Sequence, residues 1–452
     1  MKRVTKLLSL GLVLMMVVGM LSACGDKKDE NADGATTGGK VLNIRVWNDE
    51  FAKRMRDHMP GYTVTDKENP LGGGMLGDVK VVFTQVENKG TAYQDALDAA
   101  LEKQGDAKDD EKVDIFLVEA DYAAKYIESS YALDVHTVGL TDSDLANQYQ
   151  YTKDAVTDSN GVLKGVSWQA CPAGLIYRRD IAEKVLGTDD PEKVQEAVKD
   201  WATFTATAET MKGEGYAMVA GYDDTFRVFS NNVTSKWVVD GKLNIDAQLK
   251  AWVDQTKEFT DKGYNNKASL WDDNWSSGFY PEGNVFCYFG PAWFIDFSMK
   301  AEASKSVAAQ GGWGLVEGPQ GYFWGGTWIC AAAGTDNADE IKDIMLAMTC
   351  NEEVMTNIVK KDNDFANNKA AMEAMAKTDY TSKVLGGQNP LSIFAAAASN
   401  VELKYISTYD QGCNESFQKA MKDYFDGVCD YETALTNFKN TIKAKYPAIT
   451  VE

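Results

Sequence analysis

Three glycine-bearing stretches carry most of the residues whose types could do chemistry. They are 161–180 (GVLKGVSWQACPAGLIYRRD), 271–298 (WDDNWSSGFYPEGNVFCYFGPAWFIDFS) and 311–330 (GGWGLVEGPQGYFWGGTWIC). Together with Trp47 they hold eight of the eleven tryptophans, so these rings are not spread as a random core would spread them. A tryptophan face is flat and apolar and stacks on C–H groups, while nearby Asp, Asn and Glu engage hydroxyls. That combination suits a pyranose ring. Loop and strand-end settings mark Trp168, Trp271, Trp293, Trp324 and Trp328 as ligand-facing, with Asp272 beside Trp271. Trp201, Trp237 and Trp252 lie on or beside helical segments and read as core.

Reactive alternatives are weaker. Two carboxylates such as Asp272 and Glu282 would suit glycoside hydrolysis if held about 5–9 Å apart, but acids beside tryptophans are equally what plain sugar binding needs. The two histidines, His58 and His136, lack the company a catalytic triad or a metal site requires. Beyond Cys24 the cysteines are Cys171, Cys287, Cys330, Cys350, Cys413 and Cys429, without CxxC spacing. No metal, cofactor or disulfide is expected, and Cys287 and Cys330 in apolar runs read as buried thiols. Residues 72–77 (GGGMLG) fit GxGxxG but precede a strand instead of opening a helix, so they read as a hairpin-like loop and not a dinucleotide site.

The elements that must position these residues alternate. Val41 to Trp47, Val79 to Val86 and Val113 to Val118 read as strands. Helices follow near Asp49 to His58, along the stripe Tyr93, Ala96, Leu97, Ala100 and Leu101, and over Ala120 to Glu128. Strand-helix-strand alternation implies right-handed crossovers and a mostly parallel, doubly wound α/β sheet. Ligands gather beyond the carboxyl ends of such strands. Those ends carry Trp47-Asn48-Asp49-Glu50 and Glu119-Ala120-Asp121-Tyr122.

The N-terminus is a different kind of segment. Lys2, Arg3 and Lys6 precede an apolar run from Leu7 to Leu21, which ends in Leu-Ser-Ala-Cys at Cys24. This is a signal-peptide pattern, and the last four residues resemble a lipobox, so 1–23 is expected to be removed and Cys24 diacylated. Residues 24–40 lack large apolar side chains and read as a flexible tether. The remaining chain exceeds a single ordinary core and suggests two domains. A formal charge of −21 argues against nucleic acid and anionic ligands, which the net field repels.

In order along the chain, the lipobox, VEADYAAKYI, LKGVSWQACPAGLIYRRD, GNVFCYFGPAWFIDF and the pair WGLVEGP and YFWGGTW resemble the extracellular solute-binding proteins, family 1. These are the substrate-binding lipoproteins of carbohydrate ABC importers, and the resemblance spans roughly residues 40 to 440. It implies a two-lobed, periplasmic-binding-protein-like α/β fold, each lobe a doubly wound, mostly parallel sheet flanked by helices and joined by a hinge. Lobe 1 would comprise 41–166 and 327–388, and lobe 2 would comprise 167–326 and 389–452. A monomeric, lipid-anchored receptor on the outer face of the membrane would bind carbohydrate between the lobes and deliver it to permease subunits driven by a separate ATPase. The resemblance assigns ligand contacts to Asn48, Glu50, Asp121 and, less directly, Glu119. It puts Trp168 and Gln169 on the first crossing near Ser167, and it makes Trp293 the stacking platform. Trp324, Gly325, Gly326, Thr327 and Trp328 would form the return crossing, and a third crossing would lie near Gly386 to Ser392. Cys171 stands where many members carry a polar or glycine residue.

The lipobox yields a direct test. Cys24→Ala should abolish incorporation of labelled fatty acid and release the chain from mature membrane anchoring. Lipid label persisting on that variant would sink the assignment.

Overall fold

A computed structural model describes residues 34–299 and 305–452. The expected signal segment, Cys24 and most of the expected tether lie outside these described residues. The end of the tether is not loose. Thr36 and Gly39 donate backbone hydrogen bonds to Thr335 and Asp336 at 3.0 and 2.9 Å, and Ala338 donates to Thr36 at 3.0 Å. Gly39 is buried so tightly that a Cβ there would stand 2.4 Å from the Asn337 amide oxygen. The expected tether to Lys40 is therefore too long at its far end, because Thr36 and Gly39 are bonded to the loop after the last strand.

The strands follow in chain order. β1 (Val41–Val46), β2 (Tyr62–Val64), β3 (Gly74–Leu76), β4 (Val79–Gln85) and β5 (Ile115–Glu119) come first. β6 (Pro172–Arg178), β7 (Val219–Gly221), β8 (Val238–Val239), β9 (Lys242–Leu243) and β10 (Asn265–Ala268) follow. β11 (Cys287–Pro291), β12 (Trp313–Val316), β13 (Tyr322–Phe323) and β14 (Thr327–Ala331) complete the set. The first lobe is built on a sheet of order β14-β5-β1-β4-β3-β2. Its centre is parallel, with Val41 opposite Lys80 and Ile44 opposite Ile115. Its edges are antiparallel, and the GxGxxG segment supplies β3 of the β3–β4 hairpin, as its position before a strand implied.

The second lobe departs from the parallel expectation. β11, β12 and β13 all run antiparallel to β6, and the parallel pairing is between β7 and β10. β12 and β13 are joined by a short loop, whereas β11 and β12, which flank β6, are linked over 292–312 by a segment that contains the helical turns Phe294–Ser298 and Val307–Gln310. All seven residues of β6 are buried, as expected of a central strand covered on both faces. Helices pack on this lobe with local signals that fit their ends. Asp190 caps Pro191–Val198, Asp200 and Thr203 form a capping box on Trp201–Gly213, and Asp246 caps Ala247–Lys262, which Gly263 ends in the left-handed conformation. Trp252 is buried with Phe417 and Phe425, as its helical setting implied.

Two crossings run side by side between the lobes. Val166 and Ile329 exchange backbone hydrogen bonds, and the Ser167 hydroxyl lies 2.7 Å from the carbonyl oxygens of both Gln169 and Thr327. The third crossing is displaced from its expected place. Val384 already accepts from the Trp313 backbone, and the Gln388 amide pairs with both backbone groups of Leu315, at 2.9 and 2.7 Å. The chain has therefore joined the second lobe before Gly386.

Asp114 ties the first lobe together. Fully buried, it accepts from the Asn43 backbone at 2.7 Å, the Thr335 hydroxyl at 2.6 Å and the Asn337 amide at 3.0 Å. Removing it strands those donors, so Asp114→Ala should lower unfolding free energy by about 1–3 kcal/mol in urea titrations. An unchanged midpoint and slope would show that the donors find other partners.

Candidate functional site

The cleft floor is organised by Arg54. Its helix, Glu50–His58, starts as soon as β1 ends, and the Asn48 side chain accepts from the Glu50 backbone at 3.0 Å to make that turn. The Arg54 guanidinium meets Glu50 at 3.4 Å, Asp364 at 3.2 Å and, most closely, Asp362, which also bonds His58 at 2.6 Å. Gln169, from the first crossing, donates to Asp364 at 3.0 Å and approaches Glu50 at 3.4 Å. Burial, assisted by the charges of Asp364 and Asp362 and opposed by Arg54, pushes the Glu50 carboxyl up to about 7. Asp364 is likewise raised by burial, against the pull of Arg54 and Gln169.

A second charged group closes the cleft from the side. Asp121, two residues after β5, grips Arg227 bidentately at 2.5 Å on both arms. Arg227 stands on the helix Phe226–Asn231 of the second lobe, so the pair joins the lobes. Asn363 donating to Asp296 at 3.2 Å and Gln94 donating to Gln411 at 3.3 Å span them as well. Glu119 accepts from the Asp121 backbone at 2.9 Å, and burial followed by repulsion from Asp121 raises its carboxyl against the pull of Arg227.

Aromatic rings supply the opposite wall. Trp293 donates its indole N–H to the Trp324 carbonyl at 3.1 Å, and their rings meet edge to face at 5.3 Å. Trp271 leans on Trp324 at 5.7 Å while remaining 54% exposed. Its φ of 71° is a costly conformation for a bulky residue, a type of strain that clusters at ligand-binding sites. Gly325 has φ 76°, and a Cβ on it would come within 3.3 Å of the Trp293 ring. Cys171 lies between wall and floor. Its sulfur faces the Trp293 indole N–H as an acceptor, and burial, then the nearby Asp364, Glu50 and Glu119, holds the thiol well above the ordinary range and therefore neutral. Asp121, Trp324 and Gly325 also line an open cavity that runs on along the second lobe.

Several expected contacts fall elsewhere. Trp168 is fully buried and stacks on Phe51 at 5.3 Å, and Trp328 is buried with its N–H on the Thr152 carbonyl at 2.8 Å. These two rings pack the lobe interior and offer no free face, which corrects the expectation drawn from their crossing positions. Thr327 is buried in β14, paired with Glu119, and Gly326 is buried with φ 109°. Asp272 and Glu282 are exposed, and neither lines the cavity. Trp237 is buried against Phe417 and Phe438, as its setting implied, and also borders the cavity. Arg54, Asp362, Asp364 and Arg227 were not singled out from sequence, because single charged residues on helices and turns look like solvated surface. The one available signal was Asp362-Asn363-Asp364 after a helix, where Asn363 ends the helix in the left-handed conformation.

Comparison with known proteins decides the family. A family model described as bacterial extracellular solute-binding protein matches residues 75–384. The chain belongs to that family. No curated protein matches the sequence. Among solved structures, an extracellular solute-binding protein family 1 shares 19% identity with this solute-binding protein, over 89% of this chain and 99% of the other, with a TM-score of 0.73. A binding protein from B. animalis subsp. lactis Bl-04 in complex with β-1,6-galactobiose shares 17% identity over 91% and 99%, with a TM-score of 0.66. The galacto-N-biose/lacto-N-biose I-binding protein of Bifidobacterium longum, in complex with lacto-N-biose, shares 15% over 94% and 100%, with a TM-score of 0.64. At these identities the likeness establishes the two-lobed fold.

The Glu50 shift has a readable consequence for this solute-binding protein. Its folded value, about 7, exceeds the ordinary 4.5, so the folded chain holds a proton the unfolded chain has lost between those pH values. Stability from this group is full below pH 4.5 and is lost as pH rises through 7. Glu50→Gln removes that loss. The variant should match the parent near pH 5 and exceed it at pH 8, on the order of 1 kcal/mol given partial solvent screening. A gap of the same size at both pH values would mean that Glu50 carries no such penalty.

Proposed function

We propose that this solute-binding protein captures a carbohydrate between its lobes and hands it to a membrane permease powered by a separate ATPase. The observation that carries this reading is the pairing of the Trp271, Trp293 and Trp324 wall with a floor of carboxylates and an amide at Glu50, Asp364, Glu119 and Gln169. Apolar ring faces meet the C–H side of a sugar, and the floor accepts its hydroxyl protons. The sugar-bound structures of similar fold support it. We read the chain as a monomer tethered through a diacylated Cys24, with lobe 1 comprising 41–166 and β14 through the helix Lys369–Met375. Lobe 2 takes the rest.

Closure follows from this layout. The paired crossings at Ser167 and Gly325–Gly326 let the lobes rotate through few backbone dihedrals. A sugar that touches Glu50 on one lobe and Trp293 on the other completes its contacts only when the lobes are shut, so binding favours the closed form. The site is read as non-catalytic. A raised carboxyl such as Glu50 is also what a glycosidase acid needs, so incubation with oligosaccharides followed by chromatography separates the readings: products would favour the hydrolase.

Trp293→Ala and Trp324→Ala should each weaken sugar binding by about 1.5–3 kcal/mol in calorimetric titrations, the range for losing a buried apolar side chain, with circular dichroism unchanged. Full affinity in both folded variants would place the stacking surface elsewhere.

A further inference from the structure

The charged floor has a support behind it. Glu50, Arg54 and His58 recur at every fourth residue of one helix, so they share a single stripe. The turn from Asp362 to Asp364 lies against that stripe, with Asn363 between the two acids in the left-handed conformation at φ 55°. Asp362 meets both Arg54 and His58, while Asp364 meets Arg54. The Asn363 amide reaches the other way, donating to Asp296 of the second lobe at 3.2 Å. The His58 side chain is nearly enclosed, at 3% exposure. It borders a recess with Asp57, Asn357, Lys360 and Lys361, and none of Glu50, Asp364 and Gln169 lines that recess.

The bonding gives the imidazole a direction. Burial alone would raise the Asp362 carboxyl, but the bonds and charges of His58 and Arg54 outweigh it and hold the group below its usual value. An ionised carboxylate only accepts, so the hydrogen of the 2.6 Å contact sits on His58 Nε2. Asp362 thus has two donors, and one of them is shared with other acids. The Arg54 Nε is buried without a partner, so the guanidinium is held through its terminal nitrogens. How far Arg54 leans toward Asp362, and how far toward Glu50 and Asp364, then depends on what else satisfies Asp362.

We propose that His58 is a positioning residue of the ligand floor: by bonding Asp362 from behind, it leaves Arg54 to Glu50 and Asp364. What the floor binds rests on the carbohydrate reading above; the bond itself does not. A histidine at a helix C-terminus could also serve only the helix dipole, and that role would not reach Glu50. Two variants separate the roles. His58→Gln keeps an N–H donor, and His58→Leu keeps bulk without one. Urea titrations at pH 8, on the parent and both variants, each with and without Glu50→Gln, measure the coupling. Without the donor, Asp362 draws Arg54 off and ionised Glu50 is less compensated. The stabilisation from Glu50→Gln should then be about five-fold larger, in unfolding equilibrium constant, in His58→Leu than in the parent. In His58→Gln it should stay within about two-fold of the parent. Calorimetry with glucose and galactose oligosaccharides should show binding about five-fold weaker in His58→Leu and restored in His58→Gln. Nitrogen-15 histidine spectra of the parent should show the Nε2 hydrogen of His58 whether or not either variant folds. With only two histidines in the chain, His136→Gln assigns the signal. An Nε2 without hydrogen, equal effects of Glu50→Gln in all backgrounds, His58→Gln behaving like His58→Leu, or unchanged sugar affinity in His58→Leu would each overturn the positioning role. A parent that binds no sugar would count against the carbohydrate reading instead, with the coupling to Glu50 still deciding the role of His58.

Discussion

The cost of placing charge in a cleft is the constraint around which this molecule is arranged. An unpaired guanidinium or carboxylate removed from water is expensive, so such groups survive only in mutually satisfying sets. Arg54 is the centre of one such set. It draws Glu50 from the helix after β1, Asp362 and Asp364 from a turn more than three hundred residues later, and through them Gln169 from the first crossing. The same bonds that neutralise the charges hold three distant chain segments at one floor. Lone pairs left over on the carboxylates are what a hydroxyl-bearing ligand would use.

A second paired charge, Asp121 with Arg227, does for the lobes what Arg54 does for the floor. It joins them through half-buried groups, where screening by salt is weaker than at an exposed surface. The link is reversible, since neither partner is deeply enclosed. The hinge is arranged for the same purpose. Ser167 binds both crossings into a narrow double strand, and the glycines at 325 and 326 adopt positive φ values that a side chain would resist. Rigid lobes and a compliant waist follow from where hydrogen bonds are dense and where a Cβ is missing.

The aromatic wall shows how strain and burial divide the tryptophans. Trp168, stacked on Phe51, and Trp328, with its N–H on Thr152, became core. Trp271 kept an exposed face, at the expense of a backbone conformation that bulky residues avoid. Trp293 is half-buried with its N–H already spent on Trp324, so only its ring is available to a ligand. That is suitable for stacking and useless for hydrogen bonding.

The alternating strands and helices of the first lobe were legible in the chain, because periodicity reports burial directly. So was the hairpin hidden in the GxGxxG segment, from its place before a strand. Glu50, Glu119 and Asp121 were legible as strand-end positions, where a parallel sheet opens its ligand side. The antiparallel second sheet was not, since β6 is buried at every residue and a fully buried strand carries no mark of its neighbours' direction. The inward or outward turn of each tryptophan was decided only when partners such as Phe51 and Thr152 arrived from elsewhere in the fold. Arg54, Asp364 and Arg227 acquired meaning the same way: a charge on a helix looks like surface until a carboxylate from a distant segment is brought against it. Local pattern encodes which residues are buried; which buried groups meet is settled by topology alone.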